Sequence, residues 1–154
     1  MRTEGAGGVG MMRVTADPVK SRTRQMHATL RRRAGGADVM GLEELRAEFG
    51  YFLDRWPLCL YCNERVTHAN VSLDHRVPVA RGGGHEMSNL AFICQPCNKA
   101  KGDMTEEEFK DLRLMLDRWS FRHRNPKLRD KVLTALKVSA SFRIGANRRA
   151  RKDR

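Results

Sequence analysis

Four cysteines carry the clearest chemistry in this 154-residue sequence. They form two Cys-x-x-Cys pairs, Cys59 with Cys62 and Cys94 with Cys97, and the chain has no others. Thiolates are soft ligands, and two close pairs can complete the tetrahedron that structural zinc prefers. This spacing favours zinc over redox-active or merely buried thiols. We therefore predict a structural Zn²⁺ bound by all four side chains, and we expect it to hold the domain folded.

A second set of polar residues offers a different kind of metal site. Asp74 and His75 lie between the cysteine pairs, and Asn98 directly follows the second pair. Carboxylate and amide oxygens are hard ligands for a divalent ion, and an imidazole with a pKa near ~6.5 is largely neutral at pH 7 and can accept a proton. Neighbouring side chains on a strand diverge, so Asp74 can bind an ion while His75 faces water. The chemistry these groups suit is metal-assisted hydrolysis.

The local patterns predict short elements around these residues. Apolar residues at helical spacing indicate a helix from about residue 42 to Trp56, where Pro57 stops it. Residues 70–75 and 90–93 are predicted strands, joined by a glycine-containing loop over 76–88. A short helix is predicted with Pro96 at its first position, ending at Gly102.

Two more helices are predicted in the rest of the chain. Thr105 and Glu108 form a capping-box signature, which predicts a helix reaching about residue 124. Asn125-Pro126 breaks that helix, and a final helix is expected near residues 128–136.

In this order, Asp74-His75, three glycines, Asn89, the second cysteine pair, Asn98 and Lys101-Gly102 resemble the motif of the HNH endonuclease family. The resemblance covers residues from about 58 to 109 and includes the four-cysteine, zinc-containing subset of that family. It implies an α+β fold, namely a small ββα-metal HNH core stapled by a four-cysteine zinc site and flanked by α-helices and basic disordered tails.

The resemblance also implies roles for individual residues. His75 corresponds to the general base, Asp74 to the first metal ligand, and Asn89 to the asparagine that braces the loop behind the histidine. Asn98 takes the last motif position, which makes this chain an HNN variant. An amide is a weaker ligand than imidazole for transition metals, so Mg²⁺ or Mn²⁺ is expected at the catalytic site rather than Zn²⁺.

Lys101 lies three residues after Asn98, so we expect both on one helical face. Its ammonium is predicted either to stabilise the transition-state phosphate or to contact a backbone phosphate. His85 is expected to be an exposed loop residue, with a spare metal ligand as the alternative.

The net charge of +12 is concentrated at the two ends of the chain. Residues 1–40 carry +5, residues 41–136 carry +1, and residues 137–154 carry +6. Basic ends on a nearly neutral centre favour binding to a polyanion, although solvated disordered tails are the alternative. The nucleic-acid-binding candidates are all basic: Arg31, Arg32, Arg33, Arg76, Arg81, Lys99, Lys101, Arg148 and Arg149.

These observations predict three regions. Residues 1–40 are expected to be a poorly ordered basic arm, in which residues 21–33 could form a basic helix on binding DNA. Residues 41–124 are expected to be the HNH nuclease domain with its flanking helices, and residues 125–154 a helix with a basic tail. No apolar run is long enough to span a membrane, and no leader for export is recognised, so a cytosolic location in a bacterium, a phage or its host is expected.

The expected function is a metal-dependent endonuclease that hydrolyses double-stranded DNA. The alternative is a non-catalytic, zinc-stabilised nucleic-acid-binding module, or an accessory subunit of a phage packaging or restriction complex. Protein partners stay open in either case.

Overall fold

A computed structural model describes residues 17–125 and 127–136, so the predicted contacts of Arg148 and Arg149 lie outside the described residues. The chain begins with two helices, α1 (Pro18–Ala34) and α2 (Leu42–Arg55). Strands β1 (Val71–His75) and β2 (Leu90–Cys94) follow, then α3 (Gln95–Lys101) and α4 (Glu106–Arg122). Residues 127–136 are helical. The architecture is the predicted α+β fold, in which β1, β2 and α3 form a ββα unit.

The expectation of a poorly ordered arm is wrong for residues 18–34, which form α1. Asp17 caps the helix by accepting hydrogen bonds from the amides of Val19 and Lys20, and Gly35 ends it in the left-handed conformation with φ of 59°. Thr23, Met26 and Leu30 are buried. They recur every three to four residues and form one stripe, through which α1 packs into the fold.

The two strands form an antiparallel hairpin in which Asp74 pairs with Ala91 and His75 pairs with Leu90. Every residue of β2 is buried, because helices cover both faces of the sheet. On one face the ring of Phe92 lies 5.1 Å from Phe49 and 5.3 Å from Phe52 of α2. The other face is packed by α3. The hairpin therefore sits between the N-terminal helices and the helix that carries Cys97 and Asn98.

The remaining elements begin and end as their sequence signals predict. Pro57 follows the end of α2, Gly102 caps α3, and Thr105 forms the predicted capping box with Glu108 at the start of α4. Short 3-10 helices at Val79–Arg81 and Met87–Asn89 shape the loop between the strands. Within the described part of the chain, none of the helices has both the length and the apolar character needed to cross a bilayer.

Candidate active site and metal centre

The side chains of the four cysteines come together where the segment before β1 meets the end of β2 and the start of α3. Their sulfur atoms all lie within 4.8 Å of one another, and Cys62 Sγ is 3.6 Å from Cys94 Sγ. A tetrahedral ion with Zn–S bonds of about 2.3 Å separates its sulfurs by roughly 3.8 Å. The donor set and its spacing therefore fit a thiolate-bound divalent cation, and the four residues form a metal-binding cluster.

Contacts among the four sulfurs and with the backbone determine where protons lie when no cation is bound. The amide of Cys94 donates to Cys59 Sγ at 3.5 Å, a contact that helps to orient and charge-stabilise a metal-ligating sulfur. Hydrogen bonding to Cys59, with burial, raises the pKa of Cys94 to about 12. Without a cation the buried thiols thus share protons, and a bound metal ion replaces these protons.

Strand β1 places the two other candidate groups on opposite sides of the sheet. Ser72 and Asp74 face α3, whereas Leu73 and His75 face the N-terminal helices, because side chains alternate along a strand. Both Asp74 and His75 are buried, with 4% of each residue exposed. The sequence-based expectation that these neighbouring side chains diverge matches this geometry.

His75 lines a cavity of about 190 Å³ between β1 and α1. Arg22, Arg33, Ser72 and Leu73 also line it. Burial, followed by the positive charge of Arg33, lowers the pKa of His75 to about 4. The imidazole is therefore neutral at pH 7 and has a lone pair with which to accept a proton. The cavity combines a neutral base with the guanidinium groups that suit a phosphate anion.

Asn89 holds the loop that follows His75. Its amide nitrogen donates to the carbonyl oxygens of Val77, at 3.0 Å, and of Gly84, at 2.8 Å, while its Oδ1 accepts from the amide of Val77 at 2.9 Å. Gly83 lies directly against this clamp, because a Cβ atom there would be 1.9 Å from the Val77 oxygen. One buried amide thus joins the segment just after His75 to the far end of the loop.

The residue after Gly84 is His85, for which the expectation of an exposed loop residue is wrong. His85 is half-buried, and its Nδ1 lies 3.0 Å from Nε2 of His75, with the two rings nearly perpendicular. The missed signal was positional, since His85 directly follows the glycine-rich turn that Asn89 clamps. Sequence spacing alone does not show that this turn folds back over His75.

Asp74 is the centre of a buried polar cluster. Its Oδ1 accepts from Lys101 Nζ at 3.2 Å, and its Oδ2 accepts from the Tyr61 hydroxyl at 3.3 Å. Lys101 also donates to the carbonyl oxygen of His75 at 2.8 Å. Burial raises the pKa of the Asp74 carboxyl, and the positive charge of Lys101 opposes that shift.

The predicted contact of Lys101 with a phosphate needs correction. Only 1% of Lys101 is exposed, and its ammonium faces inward to Asp74 and the β1 backbone. The helical spacing from Asn98 is as expected, but the face is the one that packs on the sheet. Lys101 therefore fixes α3 to the end of β1 and has no access to a nucleic-acid backbone.

Asn98 lies on the same side of the sheet as Asp74. Its Nδ2 donates to Ser72 Oγ at 2.5 Å, which leaves the amide Oδ1 as the atom that can bind a cation. Ser72 also lines the cavity of His75. The side chain of Ser72 therefore separates Asn98 from that cavity. A carboxylate and an amide oxygen are both hard donors of the type that suits a divalent cation, and both oxygens of Asp74 also accept hydrogen bonds, from Lys101 and Tyr61.

The basic candidates differ in how accessible they are. Arg76 pairs with Glu106, and Arg81 pairs with Glu108 at 2.5 Å, so both are tied to the first turn of α4. Lys99 is exposed on α3. Arg31, Arg32 and Arg33 are exposed in the last turn of α1, and Arg33 reaches the cavity.

Comparison with known proteins gives two matches to the same kind of enzyme. Residues 59–113 match the sequence profile of the HNH endonuclease family. A 46-residue stretch is 39% identical to the CRISPR-associated endonuclease Cas9 of Corynebacterium diphtheriae, and it covers 29% of this chain and 4% of that protein. The family match includes both cysteine pairs and every residue from Asp74 to Lys101, whereas α1 and α2 lie outside it.

Proposed function

We propose that this chain, whose residues 59–113 form an HNH endonuclease domain, is a metal-dependent enzyme that hydrolyses phosphodiester bonds in double-stranded DNA. The observation that carries the proposal is the neutral, buried imidazole of His75 in a cavity lined by arginines. A binding module gains nothing from burying a neutral base beside guanidinium groups, whereas a hydrolase needs both.

His75 acts as the general base. It takes a proton from the attacking water, and its neutrality at pH 7 means that no prior deprotonation is needed. Asn89 keeps the loop closed over the base by joining Val77 to Gly84. Arg33, which lines the same cavity, is placed to hold the negatively charged phosphate near the base.

Asp74 and Asn98 would hold the catalytic cation, with Mg²⁺ or Mn²⁺ the expected ions because both ligands are hard oxygens. When bound, the cation supplies Lewis-acid stabilisation of the phosphate and of the leaving oxygen. Lys101 and Tyr61 keep the Asp74 carboxylate in place, since each donates a hydrogen bond to one of its oxygens. Zn²⁺ is proposed for the four-cysteine cluster, where its role is structural.

The test is cleavage of supercoiled plasmid by the zinc-loaded protein in Mg²⁺, in Mn²⁺ and in EDTA. We expect the His75→Ala variant to lose about 10²–10⁴-fold in rate, because general-base catalysis contributes that much. Its zinc content and DNA affinity should stay near the parental values. His68→Ala is the matched control, because His68 is exposed in a turn before β1.

Two outcomes would count against this mechanism. Parental-rate cutting by His75→Ala would exclude His75 as the base. Tight DNA binding without cutting in either metal would indicate instead the non-catalytic nucleic-acid-binding module.

A further inference from the structure

The contact between His75 and His85 has a consequence for the protonation of the base. The two nitrogens, Nε2 of His75 and Nδ1 of His85, are 3.0 Å apart, which is a normal hydrogen-bond distance. One of the two must donate a proton to the other. The choice of donor decides which nitrogen of His75 carries its proton, and therefore which one has a lone pair.

Only one direction of this hydrogen bond leaves His75 able to act as a base. If His75 donates Nε2–H, its Nδ1 has a free lone pair. If instead His85 donates Nδ1–H, the neutral His75 carries its proton on Nδ1 and has its Nε2 lone pair already occupied. In that second state, neither nitrogen can accept a proton from water.

We propose that His85 is a positioning residue that accepts the Nε2–H of His75 and thereby holds the base in its competent tautomer. The inference rests on the proposed function, because it concerns the base of that reaction. When His75 takes the proton of water on Nδ1, its Nε2–H stays hydrogen-bonded to His85, which stabilises the positive charge that forms. His85 plays the part that a buried carboxylate plays for the histidine of a catalytic triad.

The fold supports this role through the loop that carries His85. Asn89 bonds to the Gly84 carbonyl, one residue before His85, and to Val77, two residues after His75. The side-chain amide of Asn89 therefore helps to set the positions of both His75 and His85. The half-buried state of His85 also shields the contact from water, which strengthens it.

Two substitutions distinguish the loss of the hydrogen-bond acceptor from a change in the size of the side chain. His85→Asn keeps an acceptor, because Oδ1 of asparagine is as many bonds from the backbone as Nδ1 of histidine. His85→Leu removes the acceptor and keeps the bulk. His68→Leu serves as the control for replacing an exposed histidine by leucine.

The first measurement does not depend on cleavage. ¹⁵N NMR of the zinc-loaded, full-length protein distinguishes the two nitrogens of each imidazole by whether they carry a proton. We expect His75 to show a protonated Nε2 and an unprotonated Nδ1 in the parent and in His85→Asn. In His85→Leu we expect a mixture of the two tautomers.

The second measurement is the kinetics of plasmid cleavage. We expect His85→Leu to lower kcat about 10- to 100-fold with little change in KM, the typical cost of losing a group that orients a functional histidine. His85→Asn should retain kcat within about fivefold, and His68→Leu should be unchanged.

The inference is overturned if His75 keeps a single Nε2–H tautomer in His85→Leu, or if His85→Asn loses as much kcat as His85→Leu. A parent protein that cuts no DNA would refute the proposed function, yet the NMR result would still decide whether His85 fixes the tautomer. The two proposals can therefore fail separately.

Discussion

The carboxyl group of Asp74 is buried, and burial alone would favour its neutral form. Lys101 and Tyr61 compensate, because each donates to one of its oxygens. Removing one partner of a buried ion pair leaves the other charge without compensation, which typically costs about 3–5 kcal/mol. Lys101 is therefore a structural counter-ion to Asp74, and its contact with the His75 carbonyl ties His75 to the same cluster.

This role predicts a loss of stability when the charge of Lys101 is removed. We expect Lys101→Met to lower the free energy of unfolding by about 3–5 kcal/mol, measured by urea denaturation with zinc bound. Lys99→Met should have little effect, because Lys99 is exposed on the same helix. The double variant Lys101→Met with Asp74→Asn should recover part of the loss, since no buried charge is left unpaired. Equal stability of the two lysine variants would show that the buried pair has no structural role.

The loop between β1 and β2 is held in place by close packing rather than by the regular hydrogen bonds of a β-ladder. Gly83 lies so close to the Val77 carbonyl that a Cβ atom would sit 1.9 Å from its oxygen and 2.9 Å from Asn89 Nδ2. Any side chain at this position must displace the backbone of the loop or the asparagine that clamps it. The glycine is therefore required by contact distance, and the position of His85 depends on it.

Two glycine-to-alanine substitutions should have opposite effects. Gly83→Ala is expected to destabilise the protein by about 1–3 kcal/mol through overpacking, and to lower the rate of DNA cleavage because the clamp on the loop is disturbed. Gly50→Ala should instead stabilise it by about 0.5–1 kcal/mol, because Gly50 lies inside α2 with open space around it. Thermal unfolding and plasmid cleavage measure both effects. Matching changes in the two variants would contradict the packing argument.

The secondary-structure elements show what the sequence could and could not predict. The strands, α2, α3 and the capping box of α4 followed from periodicity, proline positions and caps, which are local signals. Helix α1 also has local signals, Asp17-Pro18 and Gly35, but glycines and arginines around a narrow apolar stripe obscured them.

The errors within the site were of a different kind. The helical spacing of Lys101 was right, yet spacing does not say which face of α3 packs on the sheet. The contact of His85 with His75 depends on how the loop between the strands folds back, which is a tertiary property. The sequence therefore indicated which groups could form a site, whereas their orientation required the packing of neighbouring elements.

For the whole molecule, the metal-binding cluster and α1 complete the site from two sides. The cluster joins the Cys59 region to the end of β2 and the start of α3, so it fixes the helix that presents Asn98. Helix α1 lies outside the segment that matches the HNH family, yet it forms one wall of the cavity around His75. The guanidinium of Arg22 donates to the Val71 carbonyl, which anchors this wall to the free edge of β1. Helix α1 therefore contributes a wall and Arg33 to the candidate site.

This placement predicts that the arginines of α1 are not equivalent toward DNA. Arg33 lines the cavity, whereas Arg24 is exposed nine residues earlier, roughly half a turn away around the helix. We expect Arg33→Gln to weaken DNA binding about tenfold, the equivalent of one charged hydrogen bond of about 1.5 kcal/mol, and to lower the slope of log affinity against log salt by about one. Arg24→Gln removes the same charge from the other face and should change neither quantity. Binding measured over a range of salt concentrations distinguishes these cases. Equal losses in the two variants would mean that only net charge matters, and no loss in either would mean that α1 stays clear of the DNA.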